Sequence, residues 1–281
     1  MPCLADASGF DRHTFLCGQS GSGKTYSLGV ILGRLLIETD LRVLVLDPNS
    51  DFVRLGQVRA AADQALAERY QAVARSVAVY SANAAGERKL RLHAAEIDPA
   101  TQAALLRMDP IGDREEYAAL AAVLAHQALP TLEALAGNDH PDARRLGLRV
   151  RNLGVDRFGL WARSQQGSVL DAVHDPSARC VVIDLGSLSI REEQSLVAAA
   201  VLGDLWRRRQ ERSPVLIVID EAHNVCPAEP ADQLVAVAAG HATRIAAEGR
   251  NSGSTCWSPP SARRKSPRTF CPRPTTWCSC G

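Results

Sequence analysis

Residues 14–25 read TFLCGQSGSGKT, a strand-like apolar run that breaks into a glycine-rich loop. Within it Gly18–Thr25, GQSGSGKT, fits the pattern G-x4-G-K-[ST]. Leu28, Ile31, Leu32, Leu35 and Leu36 follow at helical spacing, so the loop opens a helix. In that setting the glycines let backbone N–H groups converge on phosphate oxygens, and the helix N-terminus adds positive potential. Gly18, Gln19, Ser20, Gly21, Ser22, Gly23, Lys24 and Thr25 are therefore the expected nucleotide-binding residues. Lys24 is expected to reach the β- and γ-phosphates, and the Thr25 hydroxyl to ligate magnesium. The bland alternative is a glycine-rich turn carrying an exposed lysine.

The rest of such a site needs an acid at the end of a buried strand. Two strands offer one: Cys180–Leu185 contains Asp184, and Val215–Ile219 runs into Asp220-Glu221. Only the second supplies two carboxylates, Asp220 for the metal and Glu221 to polarise a water for in-line attack. Asp184 reads as a strand-end turn residue. A further strand, Arg42–Leu46, ends in Asp47 and the turn Pro48-Asn49-Ser50. Shorter strands are expected at Val77–Ser81 and Leu90–Leu92, in a largely Ala-rich helical stretch over 55–178. Ser189 and Glu192 form a capping-box pattern for a helix ending near Arg209, and a last helix runs from about Pro230 to Glu248. Apolar strands alternating with helices predict an α/β fold with a mainly parallel sheet covered on both faces.

Composition limits the partners. The chain has 281 residues, 46% hydrophobic and 22% charged, ordinary globular values that exclude a disordered chain. No apolar run is long enough to span a bilayer and no leader pattern opens the text, so the expectation is a cytoplasmic protein without membrane contact. The net charge is +1, but Arg263, Arg264, Lys265, Arg268 and Arg273 lie beyond Ser254 with no acid among them. Without those five bases the first 253 residues carry −4. Any nucleic-acid contact then depends on local arginine patches.

Four segments together resemble a known family. FDRHTFLCGQSGSGKT, VLVLDPNSDF, VIDEAHNVCP and AAEGRNSG occur in the order and approximate spacing of the HerA–FtsK ATPases, with the HerA-like motors the nearest likeness. The resemblance covers roughly residues 9–253. It implies a RecA-like P-loop NTPase core with a helical insertion, use of ATP and Mg2+, and a hexameric ring that translocates or unwinds double-stranded DNA, in some members beside a partner nuclease. By motif, Lys24 and Glu221 are catalytic and Asp47 opens a DPHGEY-like motif of the nucleotide site. Arg250 resembles the arginine supplied to a neighbour's γ-phosphate, against the alternative of a solvated helix-end residue. A second reading of another class stays open: a nucleotide-binding switch or docking protein that has lost catalysis.

Two departures from the family stand out. The text begins almost at the first core strand, where HerA proteins carry a small β-barrel. Past Gly253 the family's next strand and its Gln-containing sensor are expected to be absent. Residues 254–281, STCWSPPSARRKSPRTFCPRPTTWCSCG, contain no Leu, Ile, Val or Met, yet hold four of the eight Cys and five of the fifteen Pro. A zinc site on Cys256, Cys271, Cys278 and Cys280 has no usual ligand spacing. A disordered basic tail is a second reading. The third is a frameshift: one choice of codons for Arg263–Gly281, read in a shifted frame, spells QEVPEDVLSQADNLVLM, which has the polarity of globular sequence. The domain expectation is thus an ATPase domain over 1–253, its helical insertion at about 55–178, and an aberrant, disordered tail at 254–281. A missing central strand would leave backbone groups unpaired at ~1–3 kcal/mol each. That is large against a domain stability of ~5–15 kcal/mol, so the chain as written is expected to be monomeric or aggregated and nearly inactive.

Overall fold

The structure is a computed structural model that describes Leu16 and residues 22–58, 63–126, 141–163, 165–248 and 254–257. In chain order the elements are α1 (Lys24–Glu38), β1 (Val43–Asp47), α2 (Gln64–Ala74), β2 (Val77–Ser81), α3 (Pro99–Leu105), α4 (Arg114–His126), α5 (Pro141–Leu153), α6 (Val169–His174), β3 (Cys180–Asp184), α7 (Arg191–Arg207), β4 (Val215–Ile219), α8 (Ala222–Val225), α9 (Gln233–Glu248) and β5 (Ser254–Trp257). Among the described residues five strands form one sheet in the order β2-β3-β1-β4-β5, every pair parallel. The α/β class and parallel sheet expected from the sequence are observed. The strand expected at Thr14–Cys17 lies outside the described residues, Leu16 apart.

Period-two alternation along the strands sends their side chains into two cores. Val43, Val45, Cys180, Val182, Leu216 and Val218 face α1, whose Leu28, Leu32, Leu35 and Leu36 form one buried stripe. Leu44, Leu46, Val181, Ile183, Ile217 and Ile219 face the opposite way, onto Leu196, Val197 and Val201 of α7 and Ala238, Ala242 and Ile245 of α9. Each fully buried Leu or Ile contributes ~1.5–3 kcal/mol, and strands buried on both faces explain why β1, β3 and β4 are apolar without a break. The Ala-rich composition of α7 lets α9 and α3 pack closely against it. Its first turn carries Glu192 and Glu193, which suits the positive helix end.

Four expectations need correction. Ser189 does not cap α7: Ile190 occupies the cap position without a side-chain hydrogen bond, because the helix begins one residue too late for Ser189 to reach it. Glu193 instead accepts the Gly159 N–H at 2.8 Å. A true capping box occurs at α6, where Ser168 and Asp171 exchange hydrogen bonds. Leu90–Leu92 is no strand; it makes single bridges at Lys89 and Leu92, since 3-10 turns at Gly86–Arg88 and Ala94–Glu96 bend the chain on either side. The last helix starts at Gln233 rather than near Pro230, with the Asp232 carboxylate accepting the Val235 N–H at 2.9 Å.

The fourth concerns the ends of the expected domains. β2, the strand expected at Val77–Ser81 inside the otherwise helical stretch, pairs with β3 along its whole length and so belongs to the sheet rather than to an insertion. A strand also exists past Gly253: β5 pairs in parallel with β4, Val215 opposite Ser254 and Val218 opposite Trp257. Sequence pattern could not show it, because Ser254-Thr255-Cys256-Trp257 has neither alternation nor an apolar run. The backbone ladder to β4 is what forms it. Among the described residues, no helix is long and apolar enough to cross a membrane.

Candidate nucleotide and metal site

The site assembles where α1 begins and where β1, β3 and β4 end. Gly23 caps α1 with φ 79° and ψ 20°, a left-handed conformation that a side chain would strain. Its carbonyl accepts the Ser27 N–H at 2.9 Å, so Lys24 and Thr25 form the first helical turn, half-buried and with no acid in it. Those first-turn N–H groups lack intrahelical partners and suit an anion. Ser22 and Gly23 are exposed. Gly18, Gln19, Ser20 and Gly21 lie outside the described residues, as does Arg250, just past the end of α9 at Glu248.

Three strands deliver acids to the same edge of the sheet. Asp47 ends β1 opposite Asp184 at the end of β3. Leu46 is opposite Ile219, so Asp220 leaves β4 at the level of Asp47, and its N–H donates to the Leu46 carbonyl at 3.2 Å. All three carboxylates are buried.

Their surroundings differ, and so does what each can do. Asp184 is a satisfied turn residue, accepting the Ser50 hydroxyl at 2.6 Å and the Ser187 N–H at 3.1 Å. Asp47 Oδ1 accepts the N–H groups of Asn49 and Asp51, and its Oδ2 accepts that of Phe52 at 2.8 Å, so its carboxylate organises the turn Pro48-Asn49-Ser50. Burial raises the Asp47 pKa, and the amides of Phe52 and Asp51 offset part of that rise. Asp220 has less help. Its Oδ1 accepts the Glu221 N–H at 3.0 Å, while its Oδ2 is buried with no hydrogen-bond partner among the described residues. Burial pushes its pKa up to about 6, opposed by the Glu221 amide and reinforced by the charges of Glu221, Asp51 and Asp47.

Glu221 leaves the strand in the left-handed region, φ 42° and ψ 54°, at a cost of ~1–2 kcal/mol for a residue with a Cβ. That turn ends the strand alternation that would send neighbouring side chains to opposite faces. Its Oε2 lies 3.2 Å from His223 Nδ1. The described residues thus bring Lys24, Thr25, Asp47, Asp220 and Glu221 to one end of the fold.

Asp51 was not among the residues singled out from the sequence. Its carboxylate joins those of Asp47 and Asp220 in a group in which one oxygen from each lies within 4.8 Å of the others. The signal was present as two acids flanking a Pro-Asn-Ser turn, but spacing alone does not show that the turn folds back on β4. The donors at this edge are carboxylate oxygens, with the Thr25 hydroxyl at the head of α1, the set that magnesium prefers. A buried carboxylate oxygen lacking a donor fits a hard cation, and Asp220 and Thr25 are the residues that would hold it.

A family model described as Helicase HerA, central domain, matches residues 3–146, just over half of the chain. Among solved structures, VirB4 of Thermoanaerobacter pseudethanolicus is similar in fold, with a TM-score of 0.55 at 15% identity over 89% of this chain and 69% of that one. No curated protein matches the chain. The matched segment contains both the glycine-rich loop and the Asp47 turn, and the chain belongs to the HerA central-domain family of P-loop ATPases.

Proposed function

We propose that this chain is an ATP-hydrolysing motor subunit that acts on double-stranded DNA as a hexameric ring. The carrying observation is that α1, packed on the sheet, begins at the same end of the fold where β4 delivers Asp220-Glu221. ATP would place its phosphates on the loop Gly18–Gly23 and the first turn of α1, with Lys24 at the β- and γ-phosphates. Bound there with Thr25 and Asp220, magnesium would neutralise phosphate charge. Glu221 would take the proton of the attacking water, and its left-handed backbone directs it away from the strand. Arg250 of an adjacent subunit would stabilise charge on the γ-phosphate, which ties turnover to assembly.

The 3.2 Å contact of Glu221 with His223 favours a second reading, a nucleotide-binding switch whose carboxylate is held off the water. One experiment separates the two. ATP turnover is measured with and without duplex DNA, beside equilibrium binding of a fluorescent ATP analogue. The motor gives hydrolysis that duplex DNA stimulates and that Lys24→Ala lowers by about 10²–10³-fold. Binding without hydrolysis would select the switch, and turnover retained in Lys24→Ala would refute the site.

A further inference from the structure

The mouth of the sheet holds more carboxylate than the hydrolytic chemistry above uses. Asp47, Asp51 and Asp220 each bring an oxygen into a group no wider than 4.8 Å, close to the span between opposite ligands of one cation. Crowded acids alone do not make a site. Here one of them points to a missing ligand: Asp220 is 2% exposed, and its Oδ2 has no hydrogen-bond partner among the described residues. A buried carboxylate oxygen left in this state is unfavourable, and a bound cation relieves it.

The other two acids divide the work. Asp47 spends both oxygens on the amides of Asn49, Asp51 and Phe52. One of these amides belongs to Asp51, so Asp47 fixes the backbone that carries the Asp51 side chain. Asp51 itself is exposed, and the negative charge of Glu221 stands near its carboxylate. Opposite charge between the β1 turn and the β4 end would remove that repulsion. All three donors are hard oxygens, which selects magnesium, manganese or calcium over softer metals.

We propose that Asp51 is a further ligand of the divalent cation at Asp220, with Asp47 as its positioning residue, so that the chain holds the cation before nucleotide arrives. This rests on reading the end of β4 as the metal side of a nucleotide site. The test uses the full chain without nucleotide or DNA and Mn2+ alone as probe, with free Mn2+ followed by electron paramagnetic resonance. One Mn2+ per chain is expected to bind. Asp51→Asn should weaken it by about 10–100-fold, Asp47→Asn by less, and Asp51→Glu should restore most of the affinity. Asp40→Asn, remote and fully exposed, should change nothing. Circular dichroism melts establish that each variant is folded. Absence of Mn2+ binding in the parent chain, or unchanged binding in folded Asp51→Asn, would overturn the proposal. Loss of ATP turnover with Mn2+ binding intact would count against the motor and leave Asp51 in place.

Discussion

Ser50 and Asp184, 134 positions apart in the chain, are joined at 2.6 Å by a hydrogen bond in which the serine hydroxyl donates. The bond fastens the turn after β1 to the end of β3, and Ser50 adopts a left-handed φ of 62° to make it. It is the strut behind the acids of the site.

The strut leaves no room at Gly186. A Cβ there would lie 2.6 Å from Ser50 Oγ, 2.8 Å from the Pro48 carbonyl and 3.0 Å from the Ser50 amide. Two of those atoms are backbone and cannot rotate away. Gly186→Ala is therefore expected to destabilise the fold by about 1–3 kcal/mol. Ser50→Ala should cost about 1 kcal/mol, because Asp184 keeps the Ser187 amide. Urea denaturation of both variants checks the order, and a smaller loss for Gly186→Ala would contradict it.

Glu221 combines strain with charge. Its left-handed backbone favours glycine, and its carboxylate raises the pKa values of both Asp220 and Asp51. Glu221→Gly should raise the melting temperature while lowering ATP turnover by about 10²–10⁴-fold. A variant less stable than the parent would show that the His223 contact outweighs the strain.

Asp98 sets an acid limit on stability. Burial raises its pKa, but His241 and Thr101 more than reverse this and bring it to about 2, below the ordinary 3.8. A carboxyl depressed by folding contributes stability above its unfolded pKa and loses it as pH falls through the folded one. The contribution, on the order of 2 kcal/mol, should be complete above about pH 5 and mostly lost by about pH 2. Asp98→Asn should therefore cost most near neutrality, with its melting temperature converging on that of the parent in acid. A difference that persists at pH 2 would place the effect in packing rather than charge.

Assembly should respond to the residues that follow Trp257. The expectation of a nearly inactive chain rested on a missing strand, and β5 supplies one beside β4. The penalty of an unpaired β4 edge is removed, so the chain as written should fold. Arg250 falls between α9 and β5 in the chain, outside the described residues, and its proposed role needs a neighbouring subunit. A frame-restored chain is expected to form hexamers with concentration-dependent turnover, and the chain as written a smaller folded species. Light scattering on both decides; an ATP-hydrolysing hexamer from the chain as written would show that the tail is harmless.

The sequence made some of this legible and hid the rest for physical reasons. β1, β3 and β4 were readable because burial on both faces demands unbroken apolar runs such as Val215–Ile219. The Gly18–Thr25 pattern stands out in the sequence because its spacing matches what phosphate binding requires. β5 was hidden because its backbone pairing requires no particular side chains. Asp51 was hidden because its neighbours Asp47 and Asp220 come from strands 173 positions apart, and one-dimensional spacing does not encode that meeting. The capping box at Ser168 and Asp171 was visible in principle, whereas the Ser189 pattern failed because α7 begins a residue too late for it.

The strand order has a consequence for synthesis. β1 is central, flanked by β3 and β4, and neither partner is near it in the chain. When Val43-Leu44-Val45-Leu46 emerges from the ribosome, its first partner, Cys180–Asp184, has yet to be translated. At ordinary elongation rates that delay is on the order of ten seconds. Throughout it this central apolar strand has only α1 to lean on, and a nascent chain stalled before residue 180 exposes a sticky, unpaired ribbon that a chaperone would be needed to shield.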